Sequence, residues 1–110
     1  MAQRIAIASS DGINIDLHFA RTASFYIYEI FDTKYEFVEY RKLDAANKHD
    51  ESGFERTLNA LEDCKAIIVS QIGRGALAFV NSKGIRVFEA PYPIQMVMER
   101  FIEKNILKAD

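Results

Sequence analysis

Four consecutive apolar residues, Ala66-Ile67-Ile68-Val69, constrain the fold of this chain more than any other segment. A strand with one face in water alternates apolar and polar residues, whereas a run that is apolar on both faces is typical of a buried parallel strand. Parallel strands need long crossover connections, which are usually helices. The segment therefore predicts a sheet that contains parallel strands and carries packed helices.

The clearest local pattern is a hairpin. Residues 24–30 and 35–41 are rich in aromatic and β-branched side chains, and Asp32-Thr33-Lys34 separates them. Such a pair of runs predicts two antiparallel strands joined by a tight turn. Residues 5–8 and 85–88 are short apolar runs that predict two further strands.

Three segments carry apolar residues at helical spacing. The first follows a polar stretch at residues 44–52, the second lies between Gly73 and Gly84, and the third follows Pro91-Tyr92-Pro93. The predicted inward positions are Phe54, Leu58 and Leu61 in the first, Ala76, Leu77 and Val80 in the second, and Val97, Met98, Phe101, Ile102 and Ile106 in the third.

The resulting order is strand, hairpin, helix, strand, helix, strand, helix. This order predicts an α/β fold with a mixed sheet and helices packed on it. A chain of 110 residues with 49% apolar residues suits one domain over residues 1–110, since domains cluster around ~100–150 residues.

Charge and composition exclude several classes of protein. The 14 basic and 16 acidic residues give a net charge of −2, and no basic block indicates nucleic-acid binding. No apolar stretch approaches the ~20 residues that span a bilayer, and the N-terminus has no signal-peptide pattern. Cys64 is the only cysteine, so an internal disulfide is impossible and a reducing, cytoplasmic location is expected.

Ligands of α/β sheets favour the loops beyond the carboxyl ends of the strands. Three such loops occur, at residues 9–18, 71–75 and 89–92. Because the strands before them are predicted to be parallel, we expect the three loops to meet at one edge of the sheet.

His18 lies in the first of these loops. A neutral imidazole can bind a metal or move a proton near neutral pH. The alternative is a loop histidine that only bonds a backbone carbonyl. The other histidine, His49, is expected to be solvated in its polar segment, and Cys64 is expected to be a small buried apolar residue.

Two further groups of residues suggest chemistry. Gly73-Arg74-Gly75 opens a predicted helix and could cradle an anion with its N–H groups and guanidinium, or the glycines could simply allow a tight turn. Asp11, Asp16 and Glu29 could gather around a metal and support phosphoryl transfer or hydrolysis. Alternatively, the three acidic residues are separate and solvated, on turns and strand faces.

A third functional alternative is a small protein-interaction module that pairs through the exposed edge of its hairpin. Met96 and Met98, like the aromatic residues of the hairpin, are expected to pack in the core or on the sheet.

Several segments together resemble the dinitrogenase iron–molybdenum cofactor biosynthesis family, which includes NifX-like carriers and the C-terminal domain of NifB. In the first half these are Ile5-Ala6-Ile7-Ala8-Ser9, Leu17-His18-Phe19-Ala20-Arg21 and Phe25-Tyr26-Ile27-Tyr28-Glu29-Ile30. In the second half they are Leu61-Glu62-Asp63-Cys64-Lys65-Ala66-Ile67-Ile68-Val69, Ile72-Gly73 and Lys83-Gly84-Ile85-Arg86-Val87.

The resemblance implies a ribonuclease H-like motif with a mixed five-stranded sheet. It also implies a non-catalytic carrier of an iron–sulfur or iron–molybdenum cluster, bound transiently during cofactor assembly for nitrogen fixation. The expected partners are cofactor-assembly proteins, with the chain itself a monomer or weak homodimer.

The same resemblance makes His18 the expected metal ligand, with Phe19 packed beneath its loop. Arg21 and the residues Gly73, Arg74 and Gly75 are expected to meet the anionic parts of a cluster. The family often has glycine after the His-Phe pair, where this chain has Ala20.

Overall fold

The computed structural model describes residues 2–43 and 51–107, and for residues 51–54 it describes the backbone alone. His49 and most of the predicted polar stretch lie outside the described residues, as does the side chain of Phe54. The strands are β1 (Gln3–Ile7), β2 (Ser24–Phe31), β3 (Lys34–Lys42), β4 (Cys64–Val69) and β5 (Arg86–Glu89). The helices are α1 (Glu51–Ala60), α2 (Arg74–Ser82) and α3 (Ile94–Glu103), with a short 3-10 helix at Phe19–Arg21.

The five strands form one mixed sheet in the order β3-β2-β1-β4-β5. Strand β4 pairs in parallel with β1 and β5, whereas β2 is antiparallel to both β1 and β3. The mixed five-stranded α/β sheet that the sequence predicts is therefore confirmed.

The hairpin of β2 and β3 contains two irregular backbone positions. Asp32 has a φ of 62° in the tight turn, a left-handed conformation that Asp tolerates better than most residues. Farther along, Ile27 pairs with Glu39 while Tyr28 pairs with Phe37. Val38 is therefore an extra residue, and this β-bulge changes the alternation of side chains along β3.

Helices cover the two faces of the sheet unequally. On one face, buried residues of the central strands pack with those around α1 and α2: Ala6, Ala8, Phe25, Ile27, Ile67, Val69, Leu58, Leu61, Ala76 and Val80. On the other face they pack with α3: Ile5, Ile7, Ala66, Ile68, Ile94, Val97, Met98 and Phe101. All four residues at 66–69 are fully buried, which confirms the prediction of a strand covered on both faces.

The third helix differs from its prediction in two respects. Met98 is buried as expected, but Met96 is 51% exposed, so its predicted packing is wrong. Helix α3 ends at Glu103, and Asn105 has a φ of 50° that turns the chain out of the helix. Ile106 therefore lies beyond the helix that was expected to contain it, although it still packs against the core.

The helices within residues 2–43 and 51–107 include none with both the length and the apolar character that crossing a bilayer requires.

Candidate functional site

The three loops that follow β1, β4 and β5 meet at one edge of the sheet. The N–H of Phe19 donates to the carbonyl of Gln71 at 2.9 Å, and the N–H of Ser70 donates to the carbonyl of Leu17 at 3.0 Å. On the other side of the first loop, the N–H of Ile15 donates to the carbonyl of Tyr92 at 3.0 Å. The first loop thus contacts both of the others, and the three loops meet at one edge as their positions after parallel strands predict.

Side chains within the first loop fix its backbone. The Asp11 carboxylate accepts hydrogen bonds from the N–H groups of Ile13 and Asn14 at 2.8 and 2.9 Å. The bonds from Asn14 and Ile13 lower the pKa of Asp11, because they favour the ionised carboxylate. The Asp16 carboxylate likewise accepts from the N–H of Ser10 at 2.8 Å.

Asp11, Asp16 and Glu29 do not gather into one site, which excludes the first of the two alternatives for these residues. Glu29 pairs with Arg4 at 2.9 Å near the start of β1, whereas the loop that carries both aspartates follows the end of β1. The described residues contain no group of three or more His, Cys, Asp or Glu side chains that could hold a metal. The phosphoryl-transfer alternative therefore lacks the carboxylate group that it requires.

His18 is exposed, and its backbone is held on both sides. The residue forms a parallel bridge with Gln71, and its carbonyl accepts from the Thr22 hydroxyl at 2.6 Å and from the Arg21 N–H at 3.1 Å. Within the described residues, the His18 imidazole has no hydrogen-bond partner, unlike a loop histidine whose ring serves only to bond a backbone carbonyl. The backbone is thus fixed while the ring faces solvent.

Two buried residues anchor the segment that follows His18. Phe19 is 3% exposed and belongs to the core on the α1 and α2 face, where it lies beneath the loop. Thr22 is 1% exposed. Ala20 has a negative φ, since the positive-φ residues other than glycine are Asp32 and Asn105 in the described chain, so the backbone here does not require glycine.

The second loop leads directly into α2. Gly73 precedes the helix with a φ of −73°, and a Cβ added at Gly73 or Gly75 would find no atom within 4 Å. Neither glycine is therefore required by a positive φ or by crowding. The tight-turn explanation therefore lacks support, and both glycines are exposed at the start of α2.

Arg21 and Arg74 are both exposed. Neither forms an ion pair within the described part of the chain. Arg21 lies three residues after His18, and Arg74 lies three residues after Gln71, the bridge partner of His18. Each of the two segments joined by the His18–Gln71 bridge therefore carries one guanidinium group that has no ion-pair partner among the described residues.

Sequence reasoning assigned no role to Gln71 or Glu89, which also lie at this edge. Gln71 is exposed beside His18. The Glu89 carboxylate accepts from the N–H of Ile72 at 2.8 Å, which ties the end of β5 to the second loop. No sequence signal identifies either residue, because their positions depend on the pairing of strands that are far apart in the chain.

Cys64 lies away from this edge. It is the first residue of β4, whereas the loops follow the carboxyl ends of the strands. Burial raises the pKa of its thiol to about 12, so the thiolate that binds metals is disfavoured. The prediction of a buried apolar role is confirmed by its 5% exposure.

Comparison of the sequence with known proteins identifies a family that this chain matches. Residues 1–104 match the model of the family described as dinitrogenase iron-molybdenum cofactor. Protein NifX of Rhodobacter capsulatus is 30% identical over 105 residues, which are 88% of this chain and 66% of that protein. The FeMo cofactor biosynthesis protein NifB of Herbaspirillum seropedicae is 26% identical over 106 residues. This chain thus spans 66% of the length of that NifX and 19% of that NifB.

Solved structures agree on the fold. The crystal structure of PH0822 superposes with a TM-score of 0.74 at 26% identity, covering 93% of this chain and 90% of that one. A crystal structure of a Methanocaldococcus jannaschii protein gives a TM-score of 0.64 at 24% identity, covering 94% and 91%. With the match over residues 1–104, these findings show that the chain belongs to the dinitrogenase iron–molybdenum cofactor family.

Proposed function

We propose that this protein is a non-catalytic carrier that binds an iron–sulfur or iron–molybdenum cluster, or its precursor, during metallocofactor assembly. The family is named for the iron–molybdenum cofactor, and relatives of this chain are named NifX and FeMo cofactor biosynthesis protein NifB. The partners under this proposal are cofactor-assembly proteins that deliver and receive the cluster.

The observation that carries the proposal is the exposed His18 imidazole on a fixed backbone. A ligand must present a free nitrogen to the metal, and the ring has no partner among the described residues. The bonds to Gln71, Thr22 and Arg21 constrain the backbone around it. A single imidazole without a cage of cysteines suits a cargo that is passed on, because several strong ligands would oppose release.

Two cationic groups on these loops also support an anionic cargo. Arg21 and Arg74 are exposed without ion pairs to described residues, and Gly73 and Gly75 at the start of α2 are exposed. The carboxylates on the same loops, Asp11, Asp16 and Glu89, are instead bonded to backbone N–H groups. Guanidinium and N–H groups bind anionic sulfur or oxygen atoms by charge-assisted hydrogen bonds. Phe19 contributes from beneath, because its burial in the core holds the His18 segment in place.

Three further predictions belong with this proposal. A ribonuclease H-like classification is supported by the order β3-β2-β1-β4-β5 with β2 alone antiparallel. A single domain over residues 1–110 is supported by the joint packing of the described elements on one sheet. The lone cysteine supports a reducing, cytoplasmic location.

The test is an anaerobic titration of the full chain with a synthetic [4Fe–4S] cluster and, separately, with extracted iron–molybdenum cofactor, followed by absorption and EPR spectra. We expect His18→Ala to weaken binding by at least ~10-fold, equivalent to about 1.4 kcal/mol, and to alter the EPR signal. The matched control is His49→Ala, which removes the other histidine and should leave binding unchanged.

A second arm tests the cationic residues. Arg21→Gln and Arg74→Gln should each weaken binding by a few-fold, and the loss should diminish as salt screens the charges. Equal binding by the wild-type protein and His18→Ala would overturn the ligand assignment. Failure of the wild-type protein to bind either cluster would overturn the carrier proposal itself.

A further inference from the structure

On the face of the sheet that carries α3, the outer strand β3 is only partly covered by the described helices. Helix α3 has ten residues, so it is ~15 Å long and about 10–12 Å wide with its side chains. Strands lie about 4.8 Å apart, and one helix therefore covers two or three of them. The buried residues of α3 pack on β1 and β4, and Tyr26, Tyr28 and Tyr35 are partly buried against the same cluster. On this face, Phe37 and Tyr40 of β3 remain exposed.

Five rings from β2 and β3 lie on this face, which we call the aromatic face; three are partly buried and the last two are exposed: Tyr26, Tyr28, Tyr35, Phe37 and Tyr40. The centroids of Tyr26 and Tyr40 are 4.8 Å apart, and those of Tyr28 and Phe37 are 5.7 Å apart. Phe37 is 51% exposed and Tyr40 is 47% exposed. Contiguous exposed apolar groups of this kind mark interaction sites.

The outer edge of β3 is open as well. Strand β3 is the last strand in the sheet order, so no described strand pairs with its outer N–H and C=O groups. It has nine residues, whereas β5 at the opposite edge has four. An unpaired edge of this length is a template for another strand.

We propose that β3 and the aromatic face form a symmetric homodimer interface in which β3 pairs antiparallel with β3 of a second copy. Placing the twofold axis between Val38 and Glu39 sets Phe37 opposite Tyr40 of the second copy. The bulge makes this register consistent, because it brings Phe37 and Tyr40 to the same face of the sheet although they are three positions apart. Aromatic cross-strand pairs stabilise such a ladder.

Charge favours the same register. It sets Glu36 opposite Arg41 of the second copy, and this contact adds only a weak attraction because Arg41 already pairs with Asp63 and Glu39 of its own chain. Sliding the strands by two residues would instead set Glu36 opposite Glu39 and Lys34 opposite Arg41, and like charges directly opposite are destabilising. Sliding the two strands by one residue would pair residues whose side chains lie on opposite faces of the sheet.

The expected dimer is weak. A stable interface buries about 800 Å² on each partner, and a single nine-residue strand with two half-exposed rings provides less. Dimerisation should therefore depend on protein concentration. Dimerisation should not require a cluster, since His18 lies in the loop beyond the carboxyl end of β1 and not on β3 or the aromatic face.

Sedimentation velocity of the full chain over a concentration series tests the proposal. We expect a monomer–dimer equilibrium for the wild-type protein. Phe37→Glu should raise the dissociation constant at least ~10-fold. Glu36→Arg should raise it by a smaller factor, roughly a few-fold, because the facing Arg41 is already paired with Asp63 and Glu39. Both positions are exposed, and circular dichroism with thermal unfolding verifies that the variants fold.

The matched control is Met96→Glu, because Met96 is as exposed as Phe37 but lies on α3. This variant should dimerise like the wild-type protein. A wild-type chain that stays monomeric at every concentration would overturn the proposal, even if a different protein bound the aromatic face. A dimer that both Phe37→Glu and Glu36→Arg leave intact would overturn this interface. Neither result affects the carrier proposal, which cluster titration tests separately.

Discussion

At the scale of single residues, carboxylates that could have been metal ligands instead build the loop beside His18. Asp11 bonds two backbone N–H groups and Asp16 bonds Ser10. The sequence marks Asp11-Gly12 as a turn, but it does not distinguish a backbone-bonding carboxylate from a metal ligand. Both roles use the same oxygen atoms, and only the positions of the neighbouring N–H groups decide between them.

Gly12 is the glycine in this loop whose replacement we expect to be costly. Its φ is +76°, and an added Cβ would lie 2.9 Å from the ring of Tyr26. Gly12→Ala therefore combines an unfavourable backbone conformation with a clash, and it should lower the free energy of unfolding by about 1–3 kcal/mol. Urea denaturation measures this loss.

Gly75→Ala is the matched control. Its Cβ would meet no atom within 4 Å, and the position lies inside α2. Alanine there should raise the free energy of unfolding by about 0.5–1 kcal/mol. Equal effects of the two substitutions would contradict the role given to the backbone of Gly12.

At the scale of elements, a charged network joins β1, β2 and β3 to the turn before β4. Asp63 accepts hydrogen bonds from Arg41 at 2.8 Å and from Arg4 at 2.9 Å. Arg4 also pairs with Glu29, and Arg41 with Glu39. The hydrogen bonds from Arg41, and then those from Arg4, hold the pKa of the Asp63 carboxyl well below its usual range.

This low pKa makes stability depend on pH. An ionised Asp63 stabilises the folded state above its unfolded pKa of about 3.9, and the contribution is lost as pH falls. Asp63→Asn should lower the free energy of unfolding by about 1 kcal/mol at neutral pH, since the side chain is 40% exposed and solvent screens the pair. The difference from the wild-type protein should shrink between about pH 5 and pH 2.

Urea denaturation across this pH series measures the effect. Glu103→Gln is the control, because the Arg100–Glu103 pair is 3.9 Å apart and the Glu103 side chain is 71% exposed. We expect a change of no more than about 0.5 kcal/mol there. A pH profile of Asp63→Asn parallel to that of the wild-type protein would contradict the proposed linkage.

At the scale of the whole molecule, unequal coverage of the sheet sets both stability and accessibility. The central strands β1 and β4 are hydrogen-bonded on both edges and covered on both faces. Strands β3 and β5 each have an open edge among the described strands. The described part of the molecule thus combines a covered centre with an outer strand that exposes Phe37 and Tyr40.

Amide hydrogen exchange measures this distribution. Amides of β1 and β4 should exchange slowest, at rates set by global unfolding. The amides on the outer edge of β3 should exchange faster. The measurement requires dilute protein, because the proposed dimer would protect those outward amides. Equal protection of β1 and the outer edge of β3 in the monomer would contradict this ordering.

The sequence by itself determined the elements of this protein. The hairpin, the buried strand at residues 66–69 and the helix after Pro93 each follow from side-chain periodicity and turn chemistry among neighbouring residues. Resemblance to a family drew attention to His18. Met96 was expected to pack but is exposed, because apolar periodicity does not show how far the neighbouring elements cover a helix.

Only the tertiary structure decided which residues share a site. It set His18 beside Gln71, separated Glu29 from the loop aspartates, and left Phe37 and Tyr40 exposed. These outcomes depend on strand order, register and a bulge at Val38. Contacts between residues that are far apart in the chain fix those properties, so local patterns do not encode them.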